Sequence, residues 1–505
     1  MAAPADRLAQ SLAALKTLQD AGIVAIRTSN LTRVQRERLL KSGFIQGVMK
    51  GWYVPARPYG PAGESTDWFA SFWAFCSAYL SERFGEQWCL AAEHSLALHT
   101  GDWTVPKQLL VRAKRGGNKP TGLLHGTSIF DVRLDLPAAE DIKVIEGLRV
   151  MSLPVALITC APGHFAARPV ETRAALAMVA DASDVLSHLL AGGHSSVAGR
   201  LAGAFRNIGR SQIADTLVET MRAAGYTVNE TDPFDNQPSI AIGRRETSPA
   251  VNRLRLSWAV MREHVLARFP EPPGLPADKQ AYLRQIKDLY ATDAYHSLSI
   301  EGYRVSTELI ERVRSGDWNP DDGRDREQRD ALAARGYWQA FRKVETSVGR
   351  ILEGDNAGDV ARSDHGGWYR ELLAPSVVAG ILRPTDLAGY RSGPVYIRQS
   401  RHCPPRSEVV RALMPALFDL LRDEPAPAVR VVLGHFFFVN VHPYLDGNGR
   451  IGRFLMNAML TSGGYPWTVI PLAQRSRYMA ALETASVDQN ICPFVELLAE
   501  LVERV

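Results

Sequence analysis

The stretch His442–Arg453, which reads HPYLDGNGRIGR, constrains this chain more than any other. An apolar run, Val431–Val441, precedes it, and an amphipathic run, Phe454–Thr461, follows it and stops at a pair of glycines. Apolar residues on both sides of a glycine-rich, charged segment are typical of two helices joined by a tight loop. The pattern therefore predicts a helix, a polar loop and a second helix, with the functional side chains in the loop.

Two glycines and two arginines in this stretch favour the binding of an anion. Gly447 and Gly449 permit backbone angles closed to other residues, so consecutive N–H groups can converge on one point. These groups lie at the start of the second predicted helix, where unpaired donors and the helix dipole favour negative charge. Arg450 and Arg453 are three residues apart, so both guanidinium groups reach the same side of that helix. The stretch therefore predicts a cradle for a polyphosphate.

Two further residues supply the chemistry that a phosphate ester needs. Asp446 offers the hard oxygen ligand that a Mg²⁺ ion bridging phosphates requires. His442 stands at the entrance to the loop, and its near-neutral basicity suits removal of a proton from a hydroxyl group. The alternative interpretation is a plain surface turn, which the Gly-Asn-Gly sequence alone would favour. The number of specified residues in one short stretch favours the functional interpretation.

This stretch resembles the signature of the Fic family, His-x-Phe-x-Asp/Glu-Gly-Asn-Gly-Arg-x-x-Arg, with Tyr444 where Phe is usual. Tyr keeps the aromatic ring that packs under the loop, so we expect this departure to have little effect on the site. The resemblance implies a mostly helical fold and transfer of a nucleotide monophosphate, usually AMP from ATP, onto a protein hydroxyl group. It also implies individual roles: His442 as the base, Asp446 as the Mg²⁺ ligand, Arg453 at the γ-phosphate, and an ATP-binding set of Asp446, Gly447, Asn448, Gly449, Arg450, Ile451, Gly452 and Arg453.

A second stretch, Ser297–Gly302, matches the pattern Ser/Thr-x-x-x-Glu-Gly/Asn of the family's inhibitory helix. Ser297 and Glu301 are one helical turn apart and share a face. A carboxylate at Glu301 is expected to pair bidentately with Arg453 and so keep that guanidinium from the γ-phosphate. The alternative is an exposed Glu at a helix end. In the family, the same Glu is also a candidate for orienting water when AMP is removed.

A third stretch, Gly389–Arg398, resembles the family's flap, a β-hairpin beside the active site. Val395, Tyr396 and Ile397 alternate like a strand, and with Arg398 and Tyr478 they belong to the predicted ATP-binding set. An exposed strand edge can add the target's chain as another strand and so hold its hydroxyl near the base. The alternative is an ordinary surface hairpin.

Tyr478 is the residue that the resemblance places near the adenine. The family usually has an Asn on the adenine side, but this chain has Ser486, which cannot present both an amide donor and an acceptor. Donors other than ATP, such as UTP or a phosphocholine nucleotide, therefore stay open. The alternative for Tyr478 is a core tyrosine at helical spacing.

The N-terminal residues 1–57 predict a winged-helix-like domain. Two helices, Leu8–Asp20 and Leu31–Lys41, precede an alternating segment, Phe44–Pro55, that is typical of a hairpin. The second helix carries four basic residues that are candidates for contacts with DNA phosphates: Arg33, Arg36, Arg38 and Lys41. The alternative is a basic, solvated helix on a protein-interaction domain.

Residues 58–235 predict a small α/β domain. With the winged helix, this region resembles the antitoxin of AbiE systems, on the segments Leu40–Ile45, Gly51–Val54 and Ala91–Ala97. Expected elements are helices at Trp68–Phe84, Trp88–His99, Val170–Leu190 and Ser211–Gly225, and strands at Lys107–Ala113, Thr127–Leu134 and Leu148–Pro154. A linker is expected at 236–250 and a Fic domain at 251–505, with its inhibitory helix at about 279–302.

Composition narrows the class of protein. The chain is 46% hydrophobic and 22% charged, and a net charge of +4 over 505 residues does not by itself indicate nucleic acid. No apolar run is long enough to span a bilayer, and the N-terminus lacks a signal peptide's apolar core, so we expect no membrane partner. Five cysteines without a Cys-x-x-Cys pair favour the reduced cytoplasm and no zinc site. The oligomeric state stays open, a homodimer included.

Two functions of different class follow. The first is an adenylyltransferase that takes ATP and Mg²⁺, modifies a Ser, Thr or Tyr hydroxyl of a protein target or of itself, and is inhibited by Glu301. The second is an antitoxin-like regulator that binds DNA through the N-terminal domain and uses its Fic half to sense a nucleotide.

Overall fold

A computed structural model describes residues 4–58, 64–234, 248–317 and 325–504. The chain divides into two compact units. The first comprises Met1–Arg253 with Tyr396–Cys403, and the second comprises Leu254–Val395 with Pro404–Val505. Among the described residues, no single helix is long and apolar enough to cross a membrane, although one pair of helices bent by 105° passes on length and composition alone.

The first unit combines ten helices of the described chain with three small sheets. Its helices are α1 (Pro4–Asp20), α2 (Arg33–Lys41), α3 (Thr66–Phe84), α4 (Ala92–His99), α5 (Leu153–Thr159), α6 (Pro162–Ala167), α7 (Pro169–Met178), α8 (Ser183–Gly192), α9 (Ser195–Asn207) and α10 (Ser211–Ala223). Its strands are β1 (Ile26–Arg27), β2 (Ile45–Met49), β3 (Trp52–Pro55), β4 (Trp88–Leu90), β5 (Gln108–Ala113), β6 (Pro120–Gly122), β7 (Ser128–Arg133), β8 (Ile142–Ile145) and β9 (Leu148–Met151).

Strand pairing in this unit is mostly antiparallel. β1, β3 and β2 form one sheet in that order, and β8 pairs with β9 as a hairpin. The largest sheet has the order β4-β5-β7-β6, in which only the β5–β7 pair is parallel among the described strands. The two helices and the hairpin predicted for residues 1–57 are therefore present, and their assignment as a winged helix stays a prediction.

The hydrophobic core runs across the boundary predicted at residue 57. Trp52 and Val54 of β3 belong to the same buried cluster as Phe75 of α3 and Val111 of β5. The rings of Trp52 and Phe75 meet edge to face with centroids 5.6 Å apart. Because aromatic burial of this kind contributes strongly to stability, the three-stranded sheet and the α/β layer stabilise one another.

The segment Tyr396–Cys403 packs within this first unit through polar contacts. Arg398 Nε donates to Glu64 Oε2 at 2.8 Å, and the Gln399 N–H donates to Thr66 Oγ1 at 3.1 Å. The Val105 N–H donates to the Arg401 carbonyl at 2.9 Å. The Gln399 N–H and the Arg401 carbonyl are thus hydrogen-bonded without a strand partner.

Helices are the only regular secondary structure in the described residues of the second unit. Helix α11 (Pro249–Leu266) leads into it, and the others are α12 (Lys279–Ile300), α13 (Thr307–Ser315), α14 (Asp325–Leu352), α15 (Ala357–Val378), α16 (Ser407–Asp423), α17 (Pro427–Val441), α18 (Asn448–Gly463), α19 (Arg475–Val487) and α20 (Cys492–Glu503). The mostly helical fold expected for this half is therefore present in its described residues.

Glycines set the closest approaches between helices of the second unit. A Cβ at Gly452 of α18 would lie 2.8 Å from Val439 Cγ1 of α17, so the two helices pack closely only because this side chain is missing. A Cβ at Gly336 of α14 would collide with the Leu372 carbonyl of α15 in the same way. The loop between α17 and α18 is therefore built on a rigid pair of helices.

Three predicted elements are wrong. Trp88–His99 begins as strand β4, because its three buried residues pair with β5. Val170–Leu190 is broken, because the Asp184 carboxylate accepts the N–H groups of Ala180 and Asp181 and so starts a new helix. The flap hairpin is absent, because residues 389–406 contain no strand. Of the predicted linker 236–250, residues 236–247 lie outside the described chain, while Pro249 and Ala250 already belong to α11.

Candidate active site

The loop between α17 and α18 turns at two residues in the left-handed region. His442 ends α17 with a φ of 52°, and Gly447 precedes α18 with a φ of 81°. The Ile451 N–H donates to the Gly447 carbonyl at 2.9 Å as the first bond of α18. The N–H groups of Asn448, Gly449 and Arg450 thus lack an intrahelical acceptor and form the positive end of a sixteen-residue helix.

The side chain of Asn448 closes the loop rather than facing outward. Its Oδ1 accepts the Tyr444 N–H at 2.9 Å, and its Nδ2 donates to the Tyr444 carbonyl at 2.8 Å. Tyr444 is buried and stacks on Tyr369, with ring centroids 3.8 Å apart and planes 5° from parallel. The aromatic ring under the loop is as expected, whereas the side chain of Asn448 is buried and used for folding.

Asp446 and Arg450 form an ion pair inside the loop. Arg450 Nη2 lies 3.2 Å from Asp446 Oδ2, while the Gly447 N–H donates to Asp446 Oδ1 at 2.6 Å. Partial desolvation opposes ionisation of Asp446, but the charge of Arg450 and the Gly447 N–H outweigh it and lower the pKa of the carboxyl. Asp446 is therefore an anion near neutral pH, and its side chain stays 58% exposed.

An exposed, ionised carboxylate at this place fits a Mg²⁺ ion. Mg²⁺ bound to a polyphosphate typically uses one or two protein carboxylates and completes its shell with phosphate oxygens and waters. Asp446 supplies one such carboxylate beside the donors of α18. Within the described residues, no group of three or more His, Cys, Asp or Glu side chains could hold a metal by itself.

Arg453 is buried and held by the end of α12. Its Nε donates to Ser297 Oγ at 2.8 Å, and its Nη2 donates to the Ser297 carbonyl at 3.0 Å and to Glu301 Oε1 at 2.7 Å. Burial opposes the positive charge, but Glu301 outweighs it and raises the pKa of Arg453. The pairing uses one carboxylate oxygen of Glu301 in place of the expected bidentate pair, because Ser297 holds Nε and shares Nη2.

The carboxylate of Glu301 also lies directly over the start of α18. A Cβ at Gly449 would collide with Glu301 Oε1 and would lie 3.3 Å from Arg453 Nη1. Glycine at 449 thus lets a carboxylate reach the helix N-terminus, where negative charge is stabilised. Glu301 directly follows α12, whose last carbonyl, that of Ile300, accepts Arg475 Nε at 2.8 Å.

Two guanidinium nitrogens in this site are buried without a partner. Arg450 Nε and Arg453 Nη1 have no hydrogen-bond acceptor among the described residues. Leaving a buried, charged donor unpaired is unfavourable by about 1–3 kcal/mol or more. The Arg450 guanidinium also lies over the Tyr303 ring, 5.2 Å from its centroid. The site therefore has two buried guanidinium nitrogens whose hydrogen-bonding capacity is unused within the described chain.

His442 is half-buried at the entrance of the loop. Its Nδ1 lies 3.2 Å from the Val439 carbonyl oxygen. Since a carbonyl can only accept, Nδ1 carries the proton of the neutral ring, and Nε2 is the basic nitrogen. The ring is thus held in the tautomer that a general base requires.

Arg391 is a component of the site that sequence reasoning did not identify. Its side chain is buried, its Nε donates to the His442 carbonyl at 2.8 Å, and its N–H donates to the Pro443 carbonyl at 2.9 Å. The sequence of Gly389–Arg398 offers no signal for it, because a single Arg beside a predicted strand is common.

Two residues of the predicted ATP-binding set serve helix packing. Ile451 is fully buried, and Gly452 is the point where α17 and α18 meet. Tyr478 is buried too, and its hydroxyl lies 2.7 Å from His435 Nε2, while burial raises its pKa to about 12. Ser486 Oγ accepts Asn440 Nδ2 at 3.2 Å. These contacts fit the alternative in which Tyr478 is a core residue.

The predicted flap is not a hairpin in this structure. Residues 394–398 contain no strand, Tyr396 is 45% exposed, and Arg398 pairs with Glu64 of the first unit. Val395 stays with the second unit, whereas Tyr396 and Ile397 belong to the first. Strand formation fails here because Pro394 has no N–H and the neighbouring backbone groups bond to side chains and loops.

The candidate DNA contacts on α2 are engaged to different degrees. Arg38 Nη1 donates to the Arg7 carbonyl at 2.7 Å, and Arg36 Nη1 donates to the Thr28 carbonyl at 3.2 Å. Arg33 is exposed but pairs with Glu37 at 2.7 Å, and Lys41 is exposed. Two of the four predicted cations thus hold the domain together.

Comparisons with known proteins agree with the family resemblance of the α17–α18 loop. Residues 368–460 match the Fic/DOC family. The protein adenylyltransferase Fic of Drosophila willistoni is 30% identical over 233 residues, which cover 44% of this chain and 42% of that protein. The protein of the same name from Nematostella vectensis is 29% identical over 235 residues, which cover 46% of this chain and 51% of that protein.

The similarity is limited in extent. The chain spans about half the length of the curated relatives it matches. Among solved structures, Fic-1 of C. elegans is 19% identical with a TM-score of 0.38, over 64% of this chain and 89% of that one, a score at which no shared fold is inferred. The sequence matches identify a Fic/DOC family domain in the C-terminal part of this chain.

Proposed function

We propose that the second unit transfers AMP from ATP to a hydroxyl group of a protein side chain, and that Glu301 holds it in an inhibited state. The observation that carries the proposal is the polyphosphate cradle beside a histidine base. It consists of the free N-terminus of α18 and the unpaired nitrogens of two buried arginines, Arg450 and Arg453. Similarity to protein adenylyltransferases supports AMP as the transferred group.

The cradle orients the phosphates of ATP by fixed charges. The N–H groups of Asn448 and Gly449 point at the phosphate chain, and Arg450 neutralises it from below. Arg453 takes the γ-phosphate once its own donors are released from Glu301. Because these groups are rigid before ATP binds, little reorganisation is needed when charge develops during transfer.

Asp446 would hold Mg²⁺ in this arrangement. When bound, the ion neutralises phosphate charge and makes pyrophosphate a better leaving group. The chain's own contribution is to keep Asp446 ionised, because Arg450 and the Gly447 N–H lower the pKa of its carboxyl.

His442 performs the proton transfer. Its Nε2 removes the proton of the target hydroxyl while the oxygen attacks the α-phosphorus of ATP. The new oxygen–phosphorus bond forms as the bond to the pyrophosphate oxygen breaks, so AMP stays on the target and pyrophosphate leaves. Nδ1 remains bonded to the Val439 carbonyl and keeps the ring in place.

Glu301 inhibits by occupying the anion's place. Its carboxylate sits at the α18 N-terminus over Gly449 and uses a donor of Arg453. A γ-phosphate at the same place would meet a like charge, so ATP binds without its productive orientation. Movement of the end of α12 would restore both the helix terminus and the guanidinium.

The first experiment is transfer of label from α-labelled ATP with Mg²⁺ to protein. We expect weak label with the wild type, strong label with Glu301→Gly, and none when His442→Ala is added. Glu353→Gly is a matched control, because Glu353 also directly follows a helix and pairs with a cation, Lys279, at 3.0 Å. Equal label in wild type and Glu301→Gly would contradict inhibition, and label with His442→Ala would contradict the base.

Another nucleotide donor is tested in the same assay. Ser486 leaves the adenine side without the usual amide, so UTP and a phosphocholine nucleotide are supplied in parallel as labelled donors. Transfer from one of these in preference to ATP would replace AMP in the proposal while leaving the cradle and His442 unchanged.

A second candidate function is DNA binding by the first unit. The order of two helices and a hairpin supports it, with Arg33 and Lys41 exposed on α2. Phosphate contacts predict binding to the protein's own promoter that weakens steeply with salt. An Arg33→Ala/Lys41→Ala variant should lose this binding, and no binding at low salt would exclude this function.

A further inference from the structure

Arg391 is a buried cation whose hydrogen bonds are made to backbone carbonyls. The guanidinium donates to the carbonyls of His442 at 2.8 Å, Gly393 at 3.0 Å, Val441 at 3.5 Å and, by a short contact, Pro405. Only 2% of the residue is exposed. A charged group buried in this way is unfavourable unless its donors are satisfied, so each of these bonds is required by the fold.

We propose that Arg391 is a positioning residue that fixes the candidate base His442 by binding the carbonyls at the end of α17. The inference deepens the proposed function and rests on it. Arg391 touches no reacting atom, and it acts through the backbone of the residue that would carry the proton.

The end of α17 needs such a partner for two reasons. The last carbonyls of a helix have no intrahelical donor and carry partial negative charge, which a cation stabilises. His442 also has a φ of 52°, a conformation that disfavours a residue with a Cβ. A conformation of this kind persists only when the surroundings hold it, and functional sites are where such residues cluster.

The planar fork of arginine suits this task because it joins separate segments. Its Nε reaches His442, its Nη2 reaches Val441 and Pro405, and its Nη1 reaches Gly393. The Arg391 N–H holds the Pro443 carbonyl at 2.9 Å. A lysine ammonium is a single point with three donors and cannot span the same set. The residue's identity therefore matters beyond its charge.

The test compares Arg391→Met and Arg391→Lys in the Glu301→Gly background. We expect kcat for AMP transfer to fall by about ten- to a hundredfold in Arg391→Met, because misplacement of a reacting group by about 1 Å has effects of this size. ATP affinity should stay within about twofold, because the cradle at α18 is untouched. Arg391→Lys should restore part of kcat, and it carries the test if Arg391→Met does not fold.

A control variant separates positioning from general loss of stability. Arg262→Met removes another guanidinium, whose Nε binds the buried Glu424 at 3.0 Å in the same unit but away from the loop. It should lower the melting temperature without changing kcat. A kcat in Arg391→Met equal to that of Arg262→Met would overturn the proposal.

A second measurement is independent of activity. Nitrogen-15 resonances of the His442 ring, assigned by loss in His442→Ala, should shift in Arg391→Met and not in Arg262→Met. If the Glu301→Gly protein transfers no nucleotide, the proposed function fails while this measurement still decides on Arg391. Unchanged His442 resonances would then overturn the positioning role.

Discussion

The two helix ends that meet in the site have opposite charge and opposite kinds of partner. The C-terminus of α17 presents carbonyls, and the buried guanidinium of Arg391 binds them from within the fold. The N-terminus of α18 presents N–H groups, and the carboxylate of Glu301, 29% exposed, lies over them. The first partner is enclosed, whereas the second is partly open to solvent and chemically similar to a phosphate.

This difference suggests which end is fixed and which is exchangeable. The carbonyls of α17 bond to a cation that no ligand would replace, so this end sets the place of His442. The N–H groups of α18 are stabilised by any anion, and a carboxylate and a phosphate compete for them. Changes at the first end should lower the rate of transfer, and changes at the second should regulate it.

The largest effect is expected at the fixed end. In the Glu301→Gly background, His442→Ala should lower transfer by about a hundred- to ten-thousandfold, the contribution usual for a general base, while ATP still binds. Rates with labelled ATP and calorimetric ATP affinity check this. His264→Ala, an exposed histidine of α11, serves as the control. Retained transfer would show that the fixed end does not carry the base.

A pH dependence of stability is expected from Asp293 of α12, which interacts with Arg453 at the exchangeable end. Burial raises the pKa of Asp293 to about 6, against the hydroxyl of Tyr337 and the charge of Arg453, which lower it. The folded state therefore holds a proton that the unfolded state loses near its ordinary pKa of 3.8, so stability falls as pH rises from about 4 to 6. Asp293→Asn should remove about 3 kcal/mol of this fall.

Urea unfolding of wild type and Asp293→Asn at pH 4 and pH 7 measures that difference. Asn cannot ionise, so the free energy of unfolding of the variant should change less between the two pH values. Parallel pH dependence in the two proteins would show that Asp293 keeps an ordinary pKa.

A smaller, regulatory effect is expected from Ser297. Ser297→Ala removes the acceptor of Arg453 Nε, a hydrogen bond to a charged group worth about 1.5–3 kcal/mol. Arg453 should leave Glu301 more readily, and transfer should rise about tenfold. Ser299→Ala on the same helix is the matched control. A rise larger than that of Glu301→Gly would contradict the carboxylate as the main inhibitor.

The smallest effect is expected from a comparison of the two positive-φ residues of the α17–α18 loop, His442 and Gly447. Gly447→Ala should destabilise the protein by about 1–2 kcal/mol, because φ is 81° and the new Cβ would lie 2.9 Å from Leu372 Cδ2. His442→Gly relieves the same kind of strain at φ 52°, so the melting temperature should not fall although the base is lost. A lower melting temperature in His442→Gly would mean that the conformation is not strained.

The loop was predictable because its chemistry depends on neighbours in sequence. Gly447, Arg450 and Arg453 lie within two helical turns, so their spacing alone predicts that they share one anion site. Ser297 and Glu301 were predictable as a pair for the same reason. Their contact with Arg453 rested on a family resemblance, since nothing in local spacing brings residues so distant in sequence together.

Roles that depend on tertiary contacts were not predictable. Arg391 binds carbonyls about fifty residues away, and an arginine's partners leave no periodic trace in sequence. The bond between the Asn448 side chain and Tyr444 was not predictable, because its partner is a backbone group, which any residue carries. Val395–Ile397 alternated like a strand, but alternation predicts a strand only where a partner strand is available.

The assignment of Tyr396–Cys403 to the first unit bears on how such a chain can evolve. The segment is encoded between two parts of the second unit, yet Arg398 contacts Glu64 and Arg401 contacts Val105. A single recombination event near residue 253 would exchange the N-terminal half and separate these partners. Acquisition of a new N-terminal half therefore requires compensating substitutions within eight residues of the C-terminal gene segment.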